Sequence, residues 1–353
     1  MRELHEDALR NIVTGAGLLG SGGGGSTREG MKLVDRVLKF TDRVKLMAPE
    51  EAGDEDWGAV IAGMGSPIAS LSRVRTWSPA WALELLEKEV GFTSSFVIPF
   101  EIGAGNSLNP MLAAAQRDIP IIDGDPCGRA VPQVDMTTFY LGGLSVSPFA
   151  LTTEDEIKVI LHTKKPADIE RIARAITSEL EGVSATSCNA MCGKDLKRLI
   201  IPGTTTLVEK IGSLIREHQA AGTDPAEAVC AQFEGRLLGR GEVASIDVET
   251  RGGFDFGVVR VLGEKPVTVA FQNENMTAYR GDRLLAVVPD LICALQDNGT
   301  PLTNADIAPG MKLSYIGFKA PEQFRTPGVF DLFRPILQAL GYDDDFIGLE
   351  ALE

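Results

Sequence analysis

Histidine is scarce in this chain. It has three, at positions 5, 162 and 218, far apart and away from any acidic motif. A His-rich zinc site or a Ser–His–Asp triad would need long-range convergence, so each His reads first as a surface or structural residue. Cysteine is sparse as well: five, scattered and odd in number. That argues against a disulfide framework and for a reducing, cytoplasmic setting. Basic charge is in deficit, 34 Lys and Arg against 49 Asp and Glu, a formal net charge of -15. Nucleic-acid partners, which demand a basic face, are not expected. No uncharged apolar run reaches the roughly 20 residues of a membrane span. The opening MRELHEDALR is acidic and amphipathic, without the apolar stretch of a secretory leader. No internal repeat is visible.

What is present is ordinary globular material. The 353 residues are 44% hydrophobic and 24% charged. That length exceeds most single cores. The pattern predicts an α/β protein, with a parallel or mixed N-terminal sheet flanked by helices, plus a β-rich C-terminal domain. The boundaries read as 1–160 for the α/β domain, 161–234 for a helical segment attached to it, 235–325 for the β-rich domain and 326–353 for a helix packing back.

The stretch 100–133 organises the rest. Strands at 94–99 and 119–122, joined by a helix at 108–117, make a βαβ unit. Each strand delivers a polar, glycine-rich loop. Glu101, Asn106, Asp123, Asp125 and Arg129 would meet at the carboxyl edge of the sheet, where open α/β sheets bind ligands. Asp123 and Asp125, beside a flexible loop, have the chemistry to hold Mg²⁺, Mn²⁺ or Zn²⁺, or to share a proton. Equally, they could cap the turn and the next helix. Arg129 offers a fork for an anion, or a salt bridge within its loop. Cys127 reads as nucleophile, metal ligand or space-filler.

Upstream, 4–19 has helical spacing and runs into Gly20-Ser21-Gly22-Gly23-Gly24-Gly25. Ser26 to Glu29 fits a capping box opening a helix to about residue 40. The glycines are either an anion-binding loop at a helix N-terminus or a close crossing of backbones. No strand precedes them and no Gly-Lys-Ser/Thr follows, so neither the dinucleotide nor the P-loop fingerprint applies. A strand at 60–64 ends in Gly63-Met64-Gly65-Ser66-Pro67. Further strands are expected at 150–152 and 157–162, then helices at 165–180, 191–200, 204–221 and 224–233. Cys188 and Cys192 would share a face if helical, but no further ligand completes a metal motif. Strands follow at 243–250, 257–262, 267–271, 284–288 and 313–316, and a helix at 330–340. The run Phe271-Gln272-Asn273-Glu274-Asn275 ends one strand and either closes over the polar edge or forms a hairpin connection.

These motifs, with Gly252-Gly253-Phe254 and Val288-Pro289-Asp290-Leu291-Ile292, resemble those of the S-methyl-thiohydantoin desulfurase family, which is associated with hydantoinase/oxoprolinase-type proteins. The resemblance extends over nearly the whole chain. It implies two domains and action on a five-membered cyclic imide or thioimide. One departure is clear: after Gly128-Arg129-Ala130 the family continues Phe-Pro-Glu, and this chain has Val131-Pro132-Gln133.

Two functions compete. In the first, a hydrolase or lyase acts on a hydantoin-like ring in an interdomain cleft. Glu101, Asp123 and Asp125 activate water, directly or through a divalent metal on the two aspartates. Gly22, Gly23, Gly24, Asn106, Arg129, Glu274 and Asn275 hold the substrate. In the second, the same pocket binds a small molecule without turnover, as an accessory subunit of a hydantoinase-type system. A homo-oligomer is common for an acidic chain of this size.

Overall fold

The computed structural model of the protein describes residues 1–65, 78–154, 157–180 and 183–352. The chain begins with a short strand, β1 (Arg2–Leu4), that the pattern does not predict; the helix predicted over 4–19 follows it as α1 (Glu6–Leu19). After the glycine run, α2 (Thr27–Val37) starts at its predicted cap, the Ser26 hydroxyl accepting the Glu29 amide at 3.2 Å. Then come β2 (Val44–Met47), β3 (Trp57–Gly65), α3 (Pro79–Val90), β4 (Phe96–Pro99), α4 (Leu108–Arg117), β5 (Ile121–Ile122), β6 (Gly124–Asp125) and α5 (Thr138–Leu141). Next are β7 (Phe149–Thr152), β8 (Lys158–Leu161), α6 (Pro166–Glu179), β9 (Val183–Cys192), α7 (Gly193–Leu199), β10 (Ile201–Pro202), α8 (Thr204–Ala221) and α9 (Ala226–Gln232). Ser66 and Pro67 of the predicted strand-end motif lie outside the described residues.

The first sheet runs β1-β2-β5-β4-β3-β9-β7-β8. Its centre, β2-β5-β4-β3, is parallel, and antiparallel strands flank it on both sides. The sheet is therefore mixed, with β9 crossing back from beyond residue 180. Alternation along β3 explains why both faces are covered. Ala59 and Ile61 join the core under α1, α2 and α4, while Val60, Ala62 and Met64 join a second core with Phe96, Ile98 and Phe149.

The second sheet contains β11 (Arg236–Arg251), β12 (Phe254–Lys265), β13 (Val267–Gln272), β14 (Glu274–Arg280), β15 (Arg283–Val287), β16 (Leu291–Gln296), β17 (Pro301–Leu302) and β18 (Lys312–Phe318). Its order is β15-β14-β13-β12-β11-β18-β16-β17, with every pair antiparallel. Three strands are absent from the pattern-based reading. The first is β14, because it opens on Glu and Asn, poor strand formers. The second is β16, because its short apolar run is buried on both faces: Leu291, Cys293 and Leu295 enter the core beneath α1, while Ile292 and Ala294 enter the core of their own sheet. The third is β17, two residues long and opening on Pro301. The two sheets thus share hydrophobic cores. The last helix, α10 (Pro327–Ala339), buries Phe330, Phe333 and Leu337 in the core that holds Met136 and Phe139.

The predicted helix at 191–200 begins only at Gly193, so Cys188 lies on a strand. Asn189, at φ 46°, interrupts the strand between the two cysteines. Cys188 is buried and Cys192 half-buried.

Candidate functional site

Parallel strands β3 and β4 end side by side, and their carboxyl ends open a cleft between the two sheets. Gly63, Met64 and Gly65 come from β3, Phe100, Glu101 and Asn106 from the loop between β4 and α4, and Asn109 from the start of α4. The glycine run crosses here. Its Gly24 carbonyl accepts the Gly105 amide at 2.9 Å and the Asn106 amide at 3.1 Å. Gly24 has φ +71°, and a Cβ there would stand 2.5 Å from the Gly103 Cα. Only glycine tolerates that conformation and that approach. Backbone crossing and pocket wall are therefore the same feature, since Gly24 and Gly25 line the cleft.

The opposite wall comes from the second sheet. Asn273, at φ +54°, turns the chain so sharply that Gln272 pairs with Glu274. Its amide donates to the Asp255 carbonyl at 2.8 Å, and its Oδ1 accepts the Asp255 amide at 2.9 Å. The hairpin is laced to the glycine run: Asn275 N donates to Ser21 O at 2.7 Å and Asn304 N to Gly22 O at 2.9 Å. Asn304 Nδ2 reaches the Asn273 carbonyl at 2.8 Å and Asn275 Oδ1 at 3.0 Å. This lacing aims Glu274 into the cleft.

Four glutamates line the cleft, Glu29, Glu101, Glu170 and Glu274, and of these Glu101 and Glu274 are each 4% exposed. Glu101 Oε1 accepts Asn106 Nδ2 at 2.7 Å, and its Oε2 accepts the Val131 amide at 2.7 Å. Asn106 is itself oriented, its Oδ1 accepting Gly63 N at 2.8 Å and Asn109 Nδ2 at 3.3 Å. Burial pushes Glu101 up to about 8, against the pull of those two donors. Glu274 is also raised well above the usual carboxyl range, first by burial and then by the charge of Glu101, and its Oε2 meets no hydrogen-bond donor among the described residues. The asymmetry orders the pair. Donors on both oxygens favour the Glu101 anion; their lack favours a protonated Glu274.

Of the ten residues predicted for the site, Gly24, Glu101, Asn106 and Glu274 line this cleft, and Gly22, Gly23, Asp123, Asp125, Arg129 and Asn275 do not. Gly22 and Gly23 lie behind it, Gly22 against Asn304 and Gly23 against Glu274. Asp123 turns to the first turn of α8, where Thr206 N donates to Oδ1 at 2.9 Å and Thr206 Oγ1 to Oδ2 at 2.5 Å. Asp125 holds its own turn, Oδ1 accepting the Cys127 and Gly128 amides at 2.7 Å each. Burial raises it to about 6 despite those amides and the Thr204 side chain. The two aspartates thus cap a helix and a turn and do not converge as a metal pair. Among the described residues, no group of three His, Cys, Asp or Glu side chains is placed to hold a metal ion.

Arg129 is fully buried and offers no fork to a ligand, nor does it pair with a carboxylate of its loop. Nε donates to Ala130 O at 3.0 Å, Nη1 to Pro289 O at 3.2 Å and Asp290 O at 3.0 Å, and Nη2 to Asn275 O at 3.1 Å. It clamps the second sheet onto the first. Asn275 belongs to the same seam, its Nδ2 donating to Ile292 O at 2.7 Å. The Cys127 Sγ sits 3.5 Å from the carbonyls of Phe100 and Met136, and burial with the nearby Asp125 charge raises its thiol well above normal. That is a packed thiol, not an activated one.

Sequence reasoning missed Glu170 and Arg174, one turn apart on α6. Arg174 Nε donates to Glu170 Oε1 at 2.6 Å, and Glu170 Oε2 accepts the Val134 amide at 3.1 Å. The guanidinium also reaches Pro132 O at 3.4 Å and Gly253 O at 3.2 Å, and lies 4.1 Å from the Phe254 ring centroid. The pair suspends the 131–134 wall, which includes Gln133. Its i,i+4 spacing was readable; its burial was not. His5, His162 and His218 meet Asp42 O, Glu89 and Thr223, away from the cleft.

Residues 7–163 match the family model described as S-Me-THD-like, N-terminal domain, and residues 164–349 match S-Me-THD-like, C-terminal domain. The fold is similar to a crystal structure of a protein from Chromobacterium violaceum, with a TM-score of 0.85 and 23% identity over 99% of this chain and 100% of that one. Comparison with curated proteins finds no match. No helix among the described residues is long and apolar enough to cross a membrane.

Proposed function

Because this chain belongs to the S-methyl-thiohydantoin desulfurase (S-Me-THD-like) family, we propose that its interdomain cleft hydrolyses a hydantoin- or thiohydantoin-like ring with the Glu101–Glu274 pair as base and acid. The observation that carries this reading is the asymmetry of two buried carboxyls in one cleft, one with donors on both oxygens and the other with a bare Oε2. Carboxyls pushed apart by their surroundings divide acid and base work. Ionised Glu101 takes a proton from water as the water oxygen bonds to the ring carbon bearing the S-methyl group; the C=N electron pair of that carbon moves to the ring nitrogen, which takes the proton from Glu101. The C–S bond then breaks, protonated Glu274 supplies the proton that leaves with methanethiol, and the new hydroxyl gives its proton back to Glu274 as it becomes the ring carbonyl. Asn106, tied to Glu101, and the glycine backbone orient the ring's polar edge. Asp123 and Asp125 take no part in this scheme, and no step runs through a metal.

Methanethiol release from S-methyl-thiohydantoins, followed with a thiol reagent, tests the reading. Wild-type protein should release it, and Glu274→Gln should bind the ring but turn it over at least about a hundredfold more slowly. Undiminished turnover in that variant would refute the assignment. Ring binding with no turnover in wild type would favour a binding or accessory role for the same cleft.

A further inference from the structure

The cleft's lining is of two kinds. Glu101, Asn106, Asn273 and Glu274 supply acid and amide groups. The rest includes the lip of a hydrophobic core: Ala62, Met64, Phe100, Val134, Phe149 and Cys188 all line the cleft and all belong to a single buried cluster. Strand alternation puts Ala62 and Met64 on that face of β3, and the loop suspended by Glu170 brings Val134 to it. The acid and amide groups suffice for the ring's polar edge, so the apolar lining is left for something else.

We infer that the substrate carries an uncharged apolar substituent on its ring, packed against Phe100, Val134, Phe149 and Cys188. The inference rests on the proposed function and adds the substrate class. Charge points the same way. Arg174 is the one cation lining the cleft among the described residues, and Glu170, Pro132 O and Gly253 O already engage it. An anionic substituent would lose its hydration beside buried carboxyls without gaining a partner.

Isothermal titration of wild-type protein with three S-methyl-thiohydantoins, alike except at ring carbon 5, tests this. With isobutyl there, binding should be at least about tenfold tighter than with hydrogen; with carboxymethyl it should be weakest. Val134→Asn should weaken the isobutyl compound and leave the unsubstituted ring unchanged. Isobutyl and hydrogen compounds binding within about twofold, or carboxymethyl binding tightest, would overturn the substituent inference and leave ring recognition standing. Failure of all three to bind would overturn both.

Discussion

A Cβ placed on Gly23 would stand 1.9 Å from Oε1 of Glu274. The two residues are far apart in sequence, and the hydrogen bond from Asn275 N to Ser21 O, 2.7 Å, holds their segments together. The glycine run is thus shaped around the acid of the cleft. Gly23→Ala should displace the Glu274 carboxyl, the far end of a flexible side chain that lines the cleft, and leave the fold intact. Turnover should fall at least about tenfold while stability changes by less than about 1 kcal/mol. Parallel assays of thiol release and thermal melting check this; unchanged turnover would show that Glu274's place is immaterial.

Gly24→Ala should behave differently. There the obstruction is backbone, the Gly103 Cα at 2.5 Å, and φ is +71°. Neither strand end nor glycine run can yield cheaply. A loss of about 2 kcal/mol or more is expected in urea unfolding, and a variant of wild-type stability would contradict the crossing.

Glu101 should make stability depend on pH. Its pKa rises from 4.5 to about 8 on folding, so between those values the native state holds a proton the unfolded chain has lost. Stability is then fullest below about pH 4.5 and declines as pH climbs toward 8, at up to about 1.4 kcal/mol per pH unit. Asp125, raised to about 6, adds to the decline at the acidic end. Glu101→Gln should flatten the slope above pH 6. The same titration should make kcat/KM rise as pH approaches 8, since Glu101 works as its anion. Melting curves and rates across pH 5–9 measure both, and a pH-independent kcat/KM would count against the base assignment.

Arg129→Met should destabilise by about 3 kcal/mol or more, because four backbone carbonyls from both sheets lose their donor inside the protein. Arg129→Lys should recover part of this, since an ammonium cannot reach all four. Denaturant midpoints for the two variants would reveal a clamp; wild-type midpoints for both would rule it out.

Cys127→Ala should keep turnover within about threefold of wild type, at a packing cost of about 1–2 kcal/mol. The thiol donates weakly to two carbonyls, and Cys127 is not among the residues lining the cleft. Abolished methanethiol release by a folded Cys127→Ala protein would restore the nucleophile reading.

Much of the architecture was legible in local pattern. The helix at 108–117 and the long helix at 204–221 coincide with α4 and α8 to the residue, because apolar spacing and flanking breakers are local signals. The parallel pairing of β3 and β4, and the polar loop after β4, follow from strand–helix–strand order. The destination of side chains is another matter. Asp123 and Asp125 stand two residues apart, a spacing that on an extended chain would set both on one side, yet separate sets of nearby amides captured the two carboxylates, Thr206 for Asp123 and Cys127 with Gly128 for Asp125. Each carboxylate caps its neighbouring backbone, Asp123 a helix and Asp125 a turn.

By itself the sequence determined the family, the two-part α/β and β architecture, and the glycine run with its helix cap, since each rests on short-range order along the chain. Only the tertiary structure decided which carboxyls share a cleft. Glu274 reaches Glu101 because Asn273 reverses the chain, Ser21 and Gly22 hold the hairpin, and Arg129 clamps the sheets; Glu170 and Arg174 enter because α6 packs beside the 131–134 loop. The proton affinities of that pair follow from burial and mutual charge, quantities that exist only once distant segments have met.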